Sequence, residues 1–565
     1  MRIASKFALL LIVILGIGTI LPLFHSGFFT FHDNTQVERV YEMGVALSDK
    51  VFPVRWVTNL GYGYGYPIFN FYGPLPYYIG GVLTNSGFGA LVATKIMFGI
   101  GILFSGVTMF YLSRKYFGVG AGIVSSVAYM YFPYHAVNIY VRGAVGEFFA
   151  YAALPLVFLG LFKLFDLKKS KLFSGKNYFA MLPVSLGVFL VATSHNLSIF
   201  MLLLLIIPFT AVSLILSENR RNFLLLLIVS IIVGMFLSSF YIIPAFLEMS
   251  YTNVSSQVGG GANFVDHYVC PSQLWSGVWS FGGSVEGCVD GLSFKLGKVH
   301  ILLAVLGLIP LVISLYRKKF EKHDKLAIVC FVMIICSVLL LLSTSNFIWQ
   351  SIPFMKYIQY PWRFLNFIGL FTSVIGGYFV FKINQNIGQK GIILVVSIVI
   401  LLIITNYKLF SPQIYIGFPE EFYTSKNHIN FETSRISDEY MPSGFQTPKS
   451  FQELPPSRVE LLKTTGNIGI LSEKTGYLKA SYQALSDGVI HVNTAYFPGW
   501  SAYVNNTKLA IIPTSKGMNV SIPSGSGVFT MKLFQTPLEI VSNALSVLAF
   551  LGLLIGIIKI SSRRK

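Results

Sequence analysis

Apolar residues in this chain fall into long runs, and polar residues are confined to the gaps between them. Such runs lie at about 7–24, 88–112, 118–137, 148–167, 178–194, 198–217, 223–244, 299–316, 326–344, 365–381, 391–407 and 540–559. Each is long enough to cross a hydrocarbon core of roughly 30 Å. The pattern therefore predicts about 12 membrane-spanning helices. After residue 407 the period changes. Val489-Ile-His-Val-Asn493, Ala502-Tyr-Val504, Leu509-Ala-Ile-Ile512, Met518-Asn-Val-Ser-Ile522 and Val528-Phe-Thr-Met-Lys-Leu533 alternate apolar with polar, as half-buried strands do. Asn505-Asn506, Ser515-Lys-Gly517 and Ser524-Gly-Ser-Gly527 supply turns between them. The expected architecture is mostly α: a polytopic bundle over 1–407, an extracytoplasmic β-sandwich-like domain over 408–538, and a last span with a basic tail over 539–565.

Composition agrees. Hydrophobic residues are 54% of the chain, charged ones 12%, and mean hydropathy is +0.66. A soluble fold carries about a quarter charged residues, so fibrous, disordered and disulfide-rich secreted classes are excluded. The net charge of +19 would suggest nucleic acid on a soluble protein. Its placement says otherwise. Alternate short connections (Arg2/Lys6, Arg114/Lys115, Lys163 to Lys176, Arg220/Arg221, Arg317 to Lys325, Lys382/Lys390 and Lys559 to Lys565) hold 22 Lys and Arg against four acids, which is +18 of the total. This is the positive-inside bias of membrane insertion. It predicts a multi-pass protein of the cell (plasma) membrane with both termini cytoplasmic, membrane lipids as its surroundings and no nucleic-acid partner. No small-x-small cleavage site follows Phe24, so the first run is expected to remain as a span. Cys270 and Cys288 share one outer loop, where an oxidising compartment would allow a disulfide. Cys330 and Cys336 lie in an apolar span as packing residues.

Four outer segments interrupt otherwise short connections: 25–87, 245–298, 345–364 and 408–538. The first begins Phe31-His32-Asp33-Asn34. A carboxylate just past a span end is either a helix cap or solvated loop residue, or a general base for a headgroup-level hydroxyl. Downstream runs Arg55-Trp56-Val-Thr-Asn59-Leu-Gly-Tyr62-Gly-Tyr64-Gly-Tyr66-Pro67-Ile-Phe69-Asn70-Phe71-Tyr72, aromatic beyond the needs of an interfacial belt and broken by turn residues. Trp56, Tyr64, Tyr66 and Tyr72 read as faces for a sugar or isoprenoid, or as an interfacial plug. Arg142 and Glu147 stand at a span end, where charge is costly. They either pair with each other, or Arg142 meets a phosphate while Glu147 joins the Asp33 site. His195 and Asn196 form an outer turn as cap or substrate contact. Lys356, Trp362 and Arg363 precede the tenth span, where a guanidinium beside aromatics suits phosphate or simply snorkels. All of these fall on one side of the charge-derived map.

The Asp33 position, the Arg55-Trp56 to Tyr78 stretch, Arg142-Gly with Glu147, His195-Asn196, Tyr360-Pro-Trp-Arg363 and Asp438-Glu-Tyr440-Met-Pro442 together resemble the GT-C superfamily of polyprenyl-phosphate-sugar glycosyltransferases. The chain is most similar to the branch labelled 6-pyruvoyl-tetrahydropterin synthase-related membrane proteins. Ala495-Tyr-Phe-Pro498-Gly-Trp500-Ser-Ala-Tyr503 resembles the carboxy-terminal region of YfhO-like members. The pterin-synthase label implies no mechanism, because that soluble enzyme's zinc-binding histidines have no counterpart here. The resemblance implies an inverting glycosyltransferase that takes a sugar from a polyprenyl-phosphate donor and gives it to a glycan, lipid or protein acceptor on the outer face. Asp33 and Glu147 would be catalytic. Arg142, Arg363, Lys356 and Arg39 would bind the donor phosphate. Relatives often carry a histidine three or four residues after the aspartate, where this chain has Gln36 and Val37; the resemblance implies that its role is lost here or filled by His32. Some members use a divalent metal (Mg or Mn) and others none, and the sequence leaves this open. Rival functions are a transporter or flippase of a lipid-linked glycan precursor, and a non-catalytic surface-polymer binding protein.

Overall fold

The structure, a computed structural model, describes residues 2–167, 174–254 and 262–562. Lys168, Lys169 and Lys171 of one basic connection, and the tail residues Arg563, Arg564 and Lys565, lie outside the described residues. Among the described residues, 11 helices are long and apolar enough to cross a membrane. One of them, Ala90–Met130, is broken at Gly118, whose φ of 86° only glycine adopts freely. Ser125 Oγ donates to Ser113 Oγ at 2.8 Å across this break. In a continuous helix those residues would stand about 18 Å apart, so the two limbs form a hairpin with Arg114 and Lys115 near its tip. Counting both limbs gives the predicted 12.

Two spans form the centre of the bundle. Val145–Phe165 and Pro361–Gln385 are 89% and 94% buried along their apolar lengths, against 6% for the last span, Pro537–Ser562. A helix apolar all round belongs inside a bundle. These same two helices carry Glu147 and Arg363, so the central scaffold positions both charges.

The segment after residue 407 contributes strands. Among the described residues there are 11 strands, of which β1 (Phe28–Phe29) and β2 (Tyr415–Ile416) pair with each other and tie this segment to the first loop. The rest form two antiparallel sheets with a shared core. One is ordered β3 (Val459–Leu462), β6 (Gly488–Val492), β10 (Gly517–Ile522), β9 (Ile512–Thr514). The other is ordered β4 (Gly466–Lys474), β5 (Tyr477–Ala484), β11 (Gly525–Leu533), β7 (Trp500–Val504), β8 (Thr507–Leu509). The predicted strand 509–512 is instead a crossover: β8 ends in one sheet and β9 begins in the other. Asn505 and Asn506 both take positive φ, 46° and 70°, as the tight turn between β7 and β8 requires.

A buried polar network joins the parts. Arg55 Nη1 donates to Asn70 Oδ1 at 2.9 Å, and Asn70 Nδ2 donates to Glu248 Oε2 at 2.8 Å. Thr536 Oγ1 donates to Glu248 Oε1 at 2.8 Å, and Arg55 Nε lies 3.4 Å from Glu539 Oε1. First loop, the C-cap Glu248 of helix Ser239–Leu247 and the last span are thus held by one buried polar set. Cys270 and Cys288 are disulfide-bonded, and Cys330 is a buried free thiol.

Candidate active site

The site is built where the first loop crosses the end of the central helix. His32 N donates to Val141 O and Asp33 N to Arg142 O, both at 3.0 Å. The chain at Val137–Val141 widens into a π-type turn, a local irregularity frequent at functional sites. Gly143 follows with φ 63°. A Cβ there would lie 2.1 Å from the Phe31 ring, so only glycine permits this approach. Gln36 fastens the junction: its Nε2 donates to Gly143 O at 2.9 Å, and its Oε1 accepts from Tyr77 Oη at 2.5 Å. The residue standing where relatives often carry histidine is therefore the clamp that holds the Asp33 turn. His32 turns elsewhere, its Nε2 2.9 Å from Phe281 O.

Glu147 is 1% exposed, and both of its oxygens are occupied. Oε1 accepts from Tyr134 Oη and Asn366 Nδ2, each at 2.8 Å. Oε2 accepts from Arg142 Nη1 at 2.8 Å and lies 3.6 Å from Arg363 Nε. Arg142 Nη1 also donates to Asn138 Oδ1 at 2.6 Å, and its guanidinium lies 4.6 Å above the Trp362 ring. Two guanidiniums, 9% and 7% exposed, thus share one carboxylate. Two further donors here, Arg363 Nε and Trp362 Nε1, are buried without a hydrogen-bond acceptor. Buried donors without partners are uncommon and call for an explanation.

Asp33 lies beside this cluster, close enough to act electrostatically on Arg142, Tyr72 and Tyr77. Its carboxylate makes no hydrogen bond or ion pair among the described residues. It is partly exposed. Arg39 shares the Tyr72 ring with it, its guanidinium 4.5 Å above that ring and its Nη2 donating to Ser437 Oγ at 2.7 Å. Burial pushes the Glu439 carboxyl up, while the Arg39 guanidinium holds it down. His195 caps the helix Asn196–Leu216 by accepting from Ser198 N. Burial, opposed by Glu147 and reinforced by Arg363 and Arg142, puts its pKa below the usual histidine range. Its ring is neutral near pH 7. Asn196 Nδ2 donates to Phe71 O at 3.3 Å, tying this turn to the first loop.

Among the predicted residues, Asp33, Arg39, Tyr72, Arg142, Glu147, His195, Trp362 and Arg363 come together in one neighbourhood. Trp56 and Tyr64 pack elsewhere, and Tyr66 lies at the edge of the neighbourhood, within electrostatic reach of Arg39. Trp56 meets Trp500 edge-on at 5.6 Å, Tyr64 meets Phe445 at 5.0 Å, and Tyr66 Oη accepts from Tyr440 N at 3.1 Å. Lys356 is exposed with its Nζ over Tyr357. Sequence reading missed Tyr134, Asn138 and Asn366. A signal existed for two of them: Asn138 is four residues before Arg142 and Asn366 three after Arg363, spacings that share a helix face.

Among the described residues no group of three or more His, Cys, Asp or Glu side chains converges as metal ligands would. With Glu147 fully engaged, Asp33 is the one free carboxylate of the cluster. A single carboxylate would hold a divalent ion only together with a substrate phosphate and waters, so metal use stays open.

A family profile described as a 6-pyruvoyl-tetrahydropterin synthase related domain, membrane protein, matches residues 69–413, more than half of the chain. The chain belongs to that membrane-protein family. Searching curated proteins gives no match. Among solved structures, the Archaeoglobus fulgidus oligosaccharyltransferase AglB in complex with an inhibitory peptide and a dolichol-phosphate is similar at 14% identity and TM-score 0.48, covering 80% of this chain and 61% of that one. The Archaeoglobus fulgidus oligosaccharyltransferase complex with Zn and sulfate gives 13%, 0.43, 80% and 58%. ArnT from Cupriavidus metallidurans bound to undecaprenyl phosphate gives 10%, 0.32, 66% and 78%. The family member spans about three fifths of the length of the oligosaccharyltransferase chains it matches.

Proposed function

We propose that this protein is a membrane glycosyltransferase of GT-C type, which moves a sugar from a polyprenyl phosphate to an acceptor hydroxyl at the outer face of the plasma membrane. The observation that carries the reading is the pair of buried guanidiniums sharing one carboxylate, beside a second carboxylate that is unpaired. Arg142, Arg363 and Glu147 together carry one excess positive charge. That charge is opposed from one side by the partly exposed Asp33 carboxylate, and a phosphodiester is a further anion that would offset the cost of burying it. Arg363 Nε, ion-paired to Glu147 but without a hydrogen-bond acceptor, and Trp362 Nε1 are donors suited to the phosphodiester oxygens.

The chemistry then balances. The acceptor oxygen attacks the anomeric carbon, and its proton passes to Asp33. The bond from that carbon to the phosphate oxygen breaks, and the electron pair leaves with the lipid phosphate. Arg142 and Arg363 stabilise the charge developing there. Attack opposite the leaving group inverts the sugar. Glu147 is a positioning residue in this scheme, orienting both arginines; Tyr72 and His195 line the sugar's surroundings, with Asn196 holding the turn. Lys356 is an additional cation on the approach to Arg363. The 1–407 bundle with its 25–87 loop is the catalytic unit, and both termini are cytoplasmic.

Profiling of lipid-linked sugars and surface glycans in cells with and without the protein tests this. Loss is expected to raise one polyprenyl-phosphate sugar and to remove one glycan modification. Unchanged profiles in both pools would contradict the proposal.

A further inference from the structure

The outward face of the sheet β4-β5-β11-β7-β8 has no role in the proposed reaction, and its composition is unusual. Alternate residues of β5, β11 and β7 point into the sandwich core (Leu478, Ala480, Tyr482, Phe529, Met531, Ala502), with Ile468 of β4 and Leu509 of β8 partly buried against it, which leaves their neighbours to face out. Strand register sets those neighbours in rows. Asn467, Gln483 and Ser526 stand opposite one another. Two residues along, the row is smaller, with Gly469, Ser481 and Val528. Next come Lys479, Thr530, Tyr503 and Lys508, and then Tyr477 beside Lys532. Four rows span about 20 Å at roughly 6.8 Å per pair of residues.

The small row makes the face hollow. One depression of about 560 Å³ lies over Gln483 and Ser526, and another of about 600 Å³ over Lys479, Tyr503 and Lys532. They share Asn505 and Val528. A third, of about 670 Å³, shares Tyr503 and Phe534 with the second and reaches Glu248, Tyr251 and Leu538. The result is one trough that follows β11 toward the last span. It ends at Glu248, whose bond to Asn70 belongs to the first loop. Its charged lining is Lys479, Lys508 and Lys532 against the single carboxylate of Glu248, which is 3% exposed and already accepts from Asn70 and Thr536. No hydrogen bond among the described residues engages the side chains of Asn467, Gln483, Tyr503 or Lys479.

We propose that this trough binds a strand of acidic polysaccharide. Its length exceeds a single sugar. Amide and hydroxyl groups suit sugar hydroxyls, tyrosine rings suit sugar faces, and three lysines gathered in two adjacent rows complement the carboxylates of the sugars bound there. The inference stands apart from the transfer reaction, because it concerns binding on a different surface.

The test measures binding of polygalacturonate to the full-length protein in nanodiscs, with dextran and poly-glutamate as comparators. Polygalacturonate is expected to bind at least tenfold more tightly than either comparator. Replacing Lys479, Lys508 and Lys532 together with Gln is expected to weaken it at least tenfold, and Tyr503→Ala several-fold. The single Lys508→Gln change, on an exposed edge strand, keeps the test usable if the triple variant misfolds; it is expected to weaken binding about threefold. Asp33→Asn is expected to bind as the parent does, which separates this result from failure of the proposed reaction. Equal binding of poly-glutamate with Tyr503→Ala silent would reduce the face to an unspecific cationic patch and overturn the proposal. Equal binding of dextran, or no polygalacturonate binding, would overturn it as well.

Discussion

Asp33→Asn is expected to lower sugar transfer by about 10²–10⁴-fold, the usual worth of a positioned general base, while the thermal midpoint of the protein in detergent stays within a few degrees. The side chains are nearly equal in size, and the Asp33 carboxylate has no hydrogen-bond or ion-pair partner to lose. What holds the turn is backbone: Asp33 N to Arg142 O and His32 N to Val141 O, with Gln36 behind them. Donor affinity should change little, because the proposed phosphate grip is formed by other residues. A different outcome has a clear meaning. If Asp33 serves only as a counter-ion for Arg142, the Asn variant loses stability in step with activity. Measuring transfer and melting on the same preparation distinguishes the two roles.

Glu147→Ala is expected to produce the largest loss of stability of any single change at the site, about 3–5 kcal/mol, the cost of removing one partner from a buried ion pair. Arg142 and Arg363 would then face each other without the carboxylate, and Tyr134 and Asn366 would lose their acceptor. The informative comparison is a double-mutant cycle with Arg363→Met. Removing the excess cation together with the carboxylate should recover part of the loss, giving a coupling of about 1–3 kcal/mol. Additive losses in thermal or denaturant melts would show that the two charges are not coupled. Transfer should fall in both single variants, because Glu147 orients both arginines.

The spans were legible because hydrocarbon imposes length and hydropathy without regard to detail. Reading 88–112 and 118–137 as two spans anticipated the hairpin at Gly118, since a short polar gap with Arg114 and Lys115 marks a turn. The sandwich was half legible. β6, β10 and β11 alternate strongly, whereas β4 has exposed positions on both faces and β5 fills its buried positions partly with alanine, so neither yields a clean two-residue period. At the site, the charged residues were found because charge at a span end is rare. Their roles were not. Sequence spacing allowed Glu147 to be a base, and only the convergence of Tyr134, Asn138, Asn366 and two arginines shows it saturated. The aromatic run 56–72 was similarly ambiguous: Tyr72 lies under Arg39, whereas Trp56 packs on Trp500 nearly 450 positions away. Nothing local distinguishes those fates.

The most direct measurement follows the phosphorus. Protein reconstituted with a polyprenyl-phosphate sugar purified from its host membranes, together with host envelope glycan as acceptor, is monitored by ³¹P NMR for conversion of the phosphodiester to the phosphomonoester. Parent protein is expected to release polyprenyl phosphate in proportion to sugar gained by the glycan, with Asp33→Asn releasing less than a hundredth as much. Release undiminished by that substitution, or sugar transfer without any phosphomonoester, would contradict an outer-rim carboxylate working against an arginine-held lipid phosphate.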